Sequence, residues 1–238
     1  MIAGLSLTTR PLALLLDAGD TVLFFDAVAV SKALDELGVP VAAERLDAAL
    51  HRAKQHYRTH VGQGRDHEGG WYGLMRDLLV FAGVAAERTQ SLLPALRRVH
   101  DDFYFWRRVP AGLPEALALA RASGMRLGVV SNSEGKLLSV LERVGLLGAF
   151  DTVLDSALEG VEKPDPEIFR RALERLGVPK QRAVYAGDVP EVDVSGARNA
   201  GMHGVLIDGP GHYAGEPQWP RAVSVQALID ELLALPAP

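Results

Sequence analysis

The sequence predicts an α/β fold, in which a doubly wound parallel sheet is interrupted by one long helical insertion. Short apolar runs bounded by Gly, Asp or Ser are typical of strands buried on both faces of a parallel sheet. From about residue 111 onward, segments with helical periodicity separate these runs, and that alternation predicts the doubly wound core. Between the first run and the others lies a long segment that shows helical periodicity only.

The predicted elements of the core can be stated in order. The strands are Leu12–Leu16, Arg126–Val130, Ala183–Ala186 and Gly204–Ile207, with Thr152–Leu154 as a weaker fifth candidate. The helices are Leu113–Ala122, Lys136–Val144 and Pro166–Leu176, each followed by a glycine that can end it. The last of these helices also has a capping residue, Asp165, and a proline at its first position.

The segment from Asp26 to Arg108 contains no predicted strand. Its predicted amphipathic helices are Ala29–Leu37, Ala43–His60, Gly73–Phe81 and Thr89–Val99. We therefore expect two domains: a core formed by residues 1–25 and 110–238, and an inserted helical domain formed by residues 26–109. The Gly- and Pro-rich stretch Asp208–Pro220 predicts a surface loop.

The composition predicts a soluble globular protein and excludes several kinds of function. Lys and Arg total 25 and Asp and Glu total 30, so a net charge of −5 does not favour nucleic-acid or membrane-surface partners. Cysteine is absent, which excludes disulfides, zinc–thiolate sites and thiol nucleophiles. The apolar run near the N-terminus is too short for a signal-peptide core or a membrane span, and we expect a cytoplasmic protein.

Residues that can carry chemistry follow the predicted strands or precede a predicted helix. In open parallel sheets, ligands bind beyond the carboxyl ends of the strands, so these residues are expected to meet at one edge. They are, in chain order, Asp17, Ser131, Asn132, Lys163, Asp188 and Asp193.

This set of residues suits a phosphate ligand and a divalent cation. Repelling carboxylates are usually held together by such a cation, and a set with oxygen ligands alone points to Mg²⁺. The Ser131 hydroxyl, the Lys163 ammonium and backbone N–H groups at a helix start can cradle a phosphate. A carboxylate beside them can act as a nucleophile and form an aspartyl-phosphate.

Four regions occur in an order that resembles the motifs of the haloacid dehalogenase (HAD) superfamily: "LLLDAGDT", "VVSNS", "EKPDPEIF" and "AGDVPEVDVSGARNAGM". The resemblance covers essentially the whole chain. It implies a Rossmann-like core, and the helical insertion resembles the cap of the first type in this superfamily. It further implies a Mg²⁺-dependent phosphatase of a small phosphorylated metabolite. We expect no nucleic-acid or membrane partner, and either a monomer or a homodimer.

The resemblance also implies a role for each matching residue. The implied catalytic residues are Asp17 as nucleophile, Ser131 and Lys163. The implied phosphate-binding residues are Ser131, Asn132 and Lys163. The implied metal ligands are Asp17, Gly19 through its backbone carbonyl, Asp188 and Asp193, although Asp193 could equally cap a helix. Thr21 would orient the first loop, and Asp20 would support it as a turn residue.

The first motif departs from the family pattern at Gly19. Family phosphatases usually carry Asp two residues after the nucleophile, as general acid/base, and Asp20 lies one residue too late for that position. Loss of a positioned acid/base commonly lowers the rate by about 10²–10⁴-fold. The loss matters most for poor leaving groups such as alkyl alcohols, and less for activated esters and acyl phosphates.

Alternative functions remain open. A metal-independent 2-haloacid dehalogenase also has no acid two residues after its nucleophile. Its fourth motif, however, lacks the paired acids that this chain carries in "GDVPEVD", which argues against this alternative. A phosphonatase requires a Schiff-base lysine in the cap, where Lys32 and Lys54 have no recognisable context. A catalytically weak or inactive binding module could have kept the scaffold without turnover.

The helical insertion also carries His56 and His60, four residues apart on one predicted helix. Such a pair can bind a metal ion, but no acid lies between the two histidines. We therefore expect a solvated basic face at this helix rather than a second metal site.

Overall fold

The structure is a computed structural model that describes Ile2, residues 4–61 and residues 67–238, with the side chains of 57–61 and 67–69 outside the description. The chain divides into two compact units, which we treat separately. The α/β unit comprises Met1–Phe24 and Arg108–Pro238, and the helical unit comprises Phe25–Arg107.

The bounds of the elements are as follows. The strands are β1 (Ala13–Leu16), β2 (Phe24–Phe25), β3 (Trp106–Arg108), β4 (Arg126–Ser131), β5 (Thr152–Asp155), β6 (Ala183–Gly187), β7 (His203–Ile207) and β8 (Arg221–Ala222). The helices are α1 (Ala27–Glu36), α2 (Ala43–Val61), α3 (His67–Phe81), α4 (Ala86–Phe103), α5 (Leu113–Ala122), α6 (Leu137–Arg143), α7 (Ser156–Glu159), α8 (Pro166–Leu176), α9 (Ser195–Asn199) and α10 (Val225–Leu233). Across the described residues, no helix is both long and apolar enough to cross a membrane.

The α/β unit contains a six-stranded sheet in the order β5-β4-β1-β6-β7-β8, and its paired strands run parallel. This confirms the predicted doubly wound fold. The chain proceeds from β1 to β4 and β5 on one side, and from β6 to β7 and β8 on the other. The strand order therefore reverses between β1 and β6, and open α/β sheets bind ligands at such a reversal.

The core strands form where the sequence has uninterrupted apolar runs. All four residues of β1 are buried, as expected of a strand in a parallel sheet covered on both faces. Leu16, at the end of β1, is paired with Val129 of β4 on one side and Ala186 of β6 on the other. This register brings the residues that follow β1, β4 and β6 to the same edge of the sheet.

Helix α8 shows how the local sequence fixes the loop before it. The Asp165 side chain accepts a hydrogen bond from the Glu167 backbone N–H, Pro166 begins the helix, and Gly177 ends it in the left-handed region at φ 66°. The predicted cap, start and end of this helix are all confirmed. One face packs into the core, where truncation of a large apolar residue to Ala costs about 2–5 kcal/mol. The buried residues of that face are Ile168, Phe169, Ala172, Leu173 and Leu176.

The helical unit has a hydrophobic core of its own, formed by α1 to α4 and the segment before β3. Asp26 caps α1 by accepting a hydrogen bond from the Ala29 N–H at 3.0 Å, and it also accepts one from Arg107 Nε at 2.9 Å. Because Asp26 and Arg107 lie near the two ends of this unit in sequence, their ion pair joins the segment's entry and exit. Large buried residues of the core include Phe25, Trp71, Met75, Leu78 and Phe105.

The prediction that the segment from Asp26 to Arg108 contains no strand is wrong. Strand β3 lies at Trp106–Arg108 and pairs with β2 in a separate two-stranded sheet. With only three residues, which further aromatic side chains precede, β3 is too short to show a period-two pattern. Helix α3 begins at His67 rather than Gly73, because the packing of the helix overrides the low helix propensity of Gly69 and Gly70.

Two elements near the C-terminus, β8 and α10, lie outside the predicted set. The stretch Asp208–Pro220 between β7 and β8 contains no helix or strand, and most of its residues are exposed, which confirms the predicted loop.

In the helical unit, His56 Nδ1 lies 2.5 Å from Asp77 Oδ2, and Asp77 also accepts hydrogen bonds from Arg76. The side chain of His60, the other candidate ligand of the predicted pair, lies outside the described residues.

Candidate active site

The carboxyl ends of three neighbouring strands bring the predicted site residues to one edge of the α/β unit. Asp17 directly follows β1, and Asp188 directly follows β6. Ser131 is the last residue of β4 rather than the first residue after it, because it continues the ladder by pairing with Asp155 of β5. Asp17 and Ser131 are both buried, and Asp188 is partly exposed.

Lys163 contacts three other side chains of the site. Its ammonium lies 2.6 Å from Asp17 Oδ1, 2.7 Å from Asp193 Oδ1 and 2.8 Å from the Tyr185 hydroxyl. An ammonium has three N–H donors, so these three acceptors match its full donor capacity. The residue is only 4% exposed, and a buried charge of this kind requires such partners.

Burial and neighbouring charges perturb the ionisation of this cluster. Burial, reinforced by the carboxylates of Asp193 and Asp188, raises the pKa of Asp17 from 3.8 to about 7, although the Lys163 ammonium opposes this rise. For Lys163, burial lowers the pKa, but the carboxylates of Asp17 and Asp193 outweigh it and the net direction is upward. One ammonium therefore faces an excess of negative charge.

Asp17, Asp188 and Asp193 each offer a carboxylate oxygen, and these oxygens lie within 4.8 Å of one another. A set of carboxylate oxygens without His or Cys is the donor set of hard divalent cations such as Mg²⁺. Lys163 brings a single positive charge to these three carboxylates and does not by itself balance all of them. The chemistry of the residues therefore fits a divalent cation.

The loop after Asp17 is a tight turn closed by backbone hydrogen bonds. The Ala18 carbonyl accepts from the N–H groups of Val22 and Leu23 at 3.0 and 2.8 Å, and the Asp20 N–H donates to the Leu23 carbonyl at 2.7 Å. Asp20 adopts a left-handed φ of 53°, a conformation that Asp and Asn tolerate better than most residues. Asp20 thus occupies a turn position of this loop.

Thr21 is buried in the same loop, and Gly19 forms an isolated β-bridge with Leu23. Within the part of the chain that the structure describes, the Thr21 hydroxyl has no hydrogen-bond partner. Such an unpaired buried hydroxyl is uncommon in folded proteins. The predicted roles of Gly19 as a metal ligand and of Thr21 in orienting the loop remain predictions.

Asn132 holds the backbone of Lys163 in place. Its side-chain oxygen accepts a hydrogen bond from the Lys163 N–H at 2.8 Å, and its amide nitrogen donates to the Lys163 carbonyl at 2.9 Å. The pair ties the loop after β4 to the loop before α8. Because the Asn132 side chain is engaged in this way, phosphate binding by this residue would fall to its backbone, and that role also remains a prediction.

Asp155, which was not among the predicted site residues, shapes the loop that follows Ser131. Its buried carboxylate accepts hydrogen bonds from the backbone N–H groups of Gly135 at 2.9 Å and Leu137 at 3.1 Å. It also caps α7 through the N–H of Ala157. A signal was present in the sequence, because Asp155 is an acid at the end of a predicted strand, like Asp17.

Tyr185 and Gly187 of β6 were also not among the predicted site residues. Tyr185 is fully buried and reaches the site through its hydroxyl. Gly187 leaves room for a neighbouring acid, since a Cβ there would lie 2.3 Å from Cγ of Asp193. The signal for Tyr185 was a single polar group inside the apolar run "AVYA". The signal for Gly187 was its position between the apolar run "AVYA" and the predicted site residue Asp188.

Asp193 itself lies in a π-helical turn at Pro190–Val194 and is buried. Its Oδ2 accepts a hydrogen bond from the Val189 N–H at 2.9 Å, while its Oδ1 faces Lys163 and the Tyr185 hydroxyl. The side chain therefore satisfies a backbone N–H and contacts the charged cluster at the same time. Neither the π-helical turn nor α9 has a side-chain hydrogen bond at its cap, so the alternative of a helix cap is not observed for Asp193. Its role as a metal ligand remains a prediction.

The α/β unit is doubly wound, and carboxylates and a buried lysine lie where its strand order reverses. This combination is the one that the resemblance to the haloacid dehalogenase superfamily predicts. Residues 11–201 match the family described as haloacid dehalogenase-like hydrolase. The chain therefore belongs to the haloacid dehalogenase-like hydrolases, and the family predicted from its four motifs is confirmed.

Individual relatives agree with this assignment. Haloacid dehalogenase-like hydrolase domain-containing protein 3 of Bos taurus is 34% identical over 184 residues, which are 73% of this chain and 71% of that protein. A phosphoserine phosphatase of Thermus thermophilus is 39% identical over 143 residues, which are 57% of this chain and 53% of that enzyme. This chain therefore spans about half the length of that phosphatase.

A solved structure with the same fold is YfnB of Bacillus subtilis, which is described as a HAD-hydrolase bound to magnesium. It superposes with a TM-score of 0.71 at 19% sequence identity and covers 94% of this chain and 99% of YfnB. At that level of identity the similarity concerns the fold.

Proposed function

We propose that this protein is a Mg²⁺-dependent phosphatase of a small phosphorylated metabolite, in which Asp17 accepts the phosphoryl group. The observation that carries the proposal is the buried contact of 2.6 Å between Asp17 and the Lys163 ammonium, next to the carboxylates of Asp188 and Asp193. Membership of a hydrolase family and the similarity to a phosphoserine phosphatase support it.

The proposed reaction has two displacements at phosphorus. A carboxylate oxygen of Asp17 attacks phosphorus, the bond between phosphorus and the ester oxygen breaks, and the alcohol or phenol leaves as its anion and takes a proton from water. Water then attacks the phosphorus of the aspartyl-phosphate, the bond to Asp17 breaks, and inorganic phosphate is released. Both steps gather negative charge on the phosphoryl oxygens.

The chain's own residues would stabilise that charge. The Lys163 ammonium and the Ser131 hydroxyl are the groups that we assign to the phosphoryl oxygens, and Asn132 would hold Lys163 in position. Asp17, Asp188, Asp193 and the Gly19 carbonyl would hold the cation. When bound, Mg²⁺ would offset the repulsion between the carboxylates and the phosphoryl group.

Gly19 restricts the substrates that this site can use efficiently. The position two residues after Asp17 offers no side chain that can protonate a departing alkoxide. We therefore propose that good leaving groups, such as phenolates and the carboxylates of acyl phosphates, are turned over fastest. We further propose that the helical unit is a cap of the first type and that the protein acts in the cytoplasm as a monomer or homodimer.

Turnover of p-nitrophenyl phosphate tests the function. The expected result is activity with Mg²⁺, and loss of activity in EDTA and in an Asp17→Asn variant. Asp230→Asn, at an exposed position of α10, is the matched control and should retain activity. Activity that survives EDTA or Asp17→Asn would contradict the mechanism. Turnover of 2-chloropropionate in EDTA would support the dehalogenase instead, and inactivity on a panel of phosphoesters would favour the binding module.

A further inference from the structure

Tyr185 is buried at the centre of the site without belonging to any of the predicted roles. Its hydroxyl accepts a hydrogen bond from Lys163 Nζ at 2.8 Å, and it lies 2.8 Å from the Val130 carbonyl as donor. Asp193 Oδ1 is a second, more distant acceptor at 3.2 Å. The hydroxyl therefore joins the end of β4 to the ammonium that faces Asp17.

Among the groups that the structure places on the Lys163 ammonium, Tyr185 differs in kind from Asp17 and Asp193. The two carboxylates would change their interactions when a cation or a phosphoryl group binds. The phenol is neutral near pH 7, as a tyrosine hydroxyl ordinarily is. A neutral acceptor can keep its hydrogen bond to Lys163 while the charges on the other side of the ammonium change.

The fold holds the Tyr185 hydroxyl rigidly. The ring is fully buried in β6 and packs edge-on against Phe169 of α8, with the ring centroids 4.9 Å apart. The hydroxyl donates to the backbone carbonyl of Val130 in β4, across the intervening strand β1. The hydroxyl therefore lies between a backbone carbonyl of β4 and the ammonium of the buried lysine.

We propose that Tyr185 is a positioning residue that fixes the Lys163 ammonium for phosphoryl binding and transfer. The inference rests on the proposed phosphatase function. Tyr185 acts through Lys163 and is not expected to touch the substrate. Its hydroxyl supplies a charge-independent anchor, so that Lys163 keeps its direction toward Asp17 as the phosphoryl group enters and leaves.

The test is the Tyr185→Phe variant, which keeps the ring and its contact with Phe169 but removes the hydroxyl. We expect kcat/KM for p-nitrophenyl phosphate to fall about tenfold, the effect of losing one hydrogen bond to a charged group. The inhibition constant of orthovanadate, a mimic of the transferring phosphoryl group, should rise by a similar factor. Tyr72→Phe, at a half-buried tyrosine of the helical unit, is the control and should change neither value.

The readouts separate positioning from a structural role. A smaller folded fraction would lower kcat but leave the orthovanadate constant unchanged, and that result would overturn the proposal, as would an unchanged kcat/KM. If the wild-type protein hydrolyses no phosphoester, the proposed function fails, and a crystal structure of Tyr185→Phe decides the inference alone. A displaced Lys163 Nζ supports positioning, whereas an ammonium in the same place, with water at the vacated hydroxyl position, contradicts it.

Discussion

The Lys163 ammonium lies 2.6 Å from Asp17 Oδ1, although 146 residues separate the two in the chain. The side chains are 3% and 10% exposed, so this is a buried ion pair. Breaking such a pair by removing one partner is strongly destabilising, because it leaves an uncompensated charge away from water. The same two residues therefore contribute to the stability of the fold and to the proposed phosphoryl transfer.

Replacement of Lys163 by Met should reduce both the stability of the protein and its phosphatase activity. In EDTA, we expect the free energy of unfolding to fall by about 3–5 kcal/mol, because Asp17 and Asp193 lose their cationic partner. With Mg²⁺, kcat/KM should fall at least about a hundredfold, as when a donor to a transition-state oxyanion is removed.

The control for this variant is Lys32→Met. Lys32 is 80% exposed and pairs with Glu36 at 4.0 Å, and an exposed pair of this kind contributes at most about 1 kcal/mol. Urea unfolding and p-nitrophenyl phosphate turnover measure the two effects. A Lys163→Met protein that matched wild type in both assays would contradict the role assigned to Lys163.

Asp17 should make the metal-free protein less stable as the pH rises. Its pKa is 3.8 in the reference state and about 7 in the folded protein, mainly because of burial. The folded state therefore holds an extra proton between these values, and the stabilisation present below pH 3.8 is lost as the pH rises through about 7. A pKa change of this size corresponds to about 4 kcal/mol.

The Asp17→Asn variant isolates this effect, since Asn does not titrate. In EDTA, wild type should lose stability relative to Asp17→Asn across that pH range, and the difference should become constant at higher pH. Urea unfolding of the two proteins at a series of pH values provides the comparison. Two parallel stability profiles would show that Asp17 has an ordinary pKa.

Gly19→Asp should restore an acid at the position where family phosphatases carry one. The rate with an alkyl phosphate such as glycerol 3-phosphate should rise by up to about a hundredfold, because an alkoxide needs a proton to leave. The rate with p-nitrophenyl phosphate should rise much less, since that phenolate leaves readily. Comparing kcat/KM for the two substrates is the measurement, and an equal gain on both would refute this explanation of Gly19.

Asp20→Asn tests whether Asp20 has taken over as acid/base. Asn tolerates the left-handed φ of 53° as Asp does but cannot transfer a proton. If Asp20 is a turn residue, kcat/KM for p-nitrophenyl phosphate and the melting temperature should both stay close to the wild-type values. A fall of about a hundredfold in kcat/KM with an unchanged melting temperature would instead identify Asp20 as the acid/base.

The sequence was sufficient for the parts of the structure that depend on strong local patterns. The apolar run before Asp17 and the run "AVYA" before Asp188 are long enough to identify strands, and parallel pairing then brings their ends together. The cap and the end of α8 follow from Asp165, Pro166 and Gly177, whose conformational preferences are local. These local preferences do not depend on the details of the surrounding packing.

Other features depend on packing that no local pattern records. Periodicity does not indicate which face of a doubly covered strand Tyr185 points to, so its contact with Lys163 could not be predicted. Asp193 reaches the cluster only because a π-helical turn follows β6 and Gly187 leaves space for its carboxylate. Strand β3 is too short for its alternation to be visible.

The most direct test of the central proposal is to trap a phosphoryl group on Asp17. Wild-type protein turning over p-nitrophenyl phosphate with Mg²⁺ is quenched in acid, digested and analysed by mass spectrometry, with Asp17→Asn treated identically. We expect a phosphorylated peptide containing Asp17 in the wild-type sample and none in the variant. A wild-type protein that releases phosphate at a steady rate, with the phosphoryl group found on another residue, would contradict it.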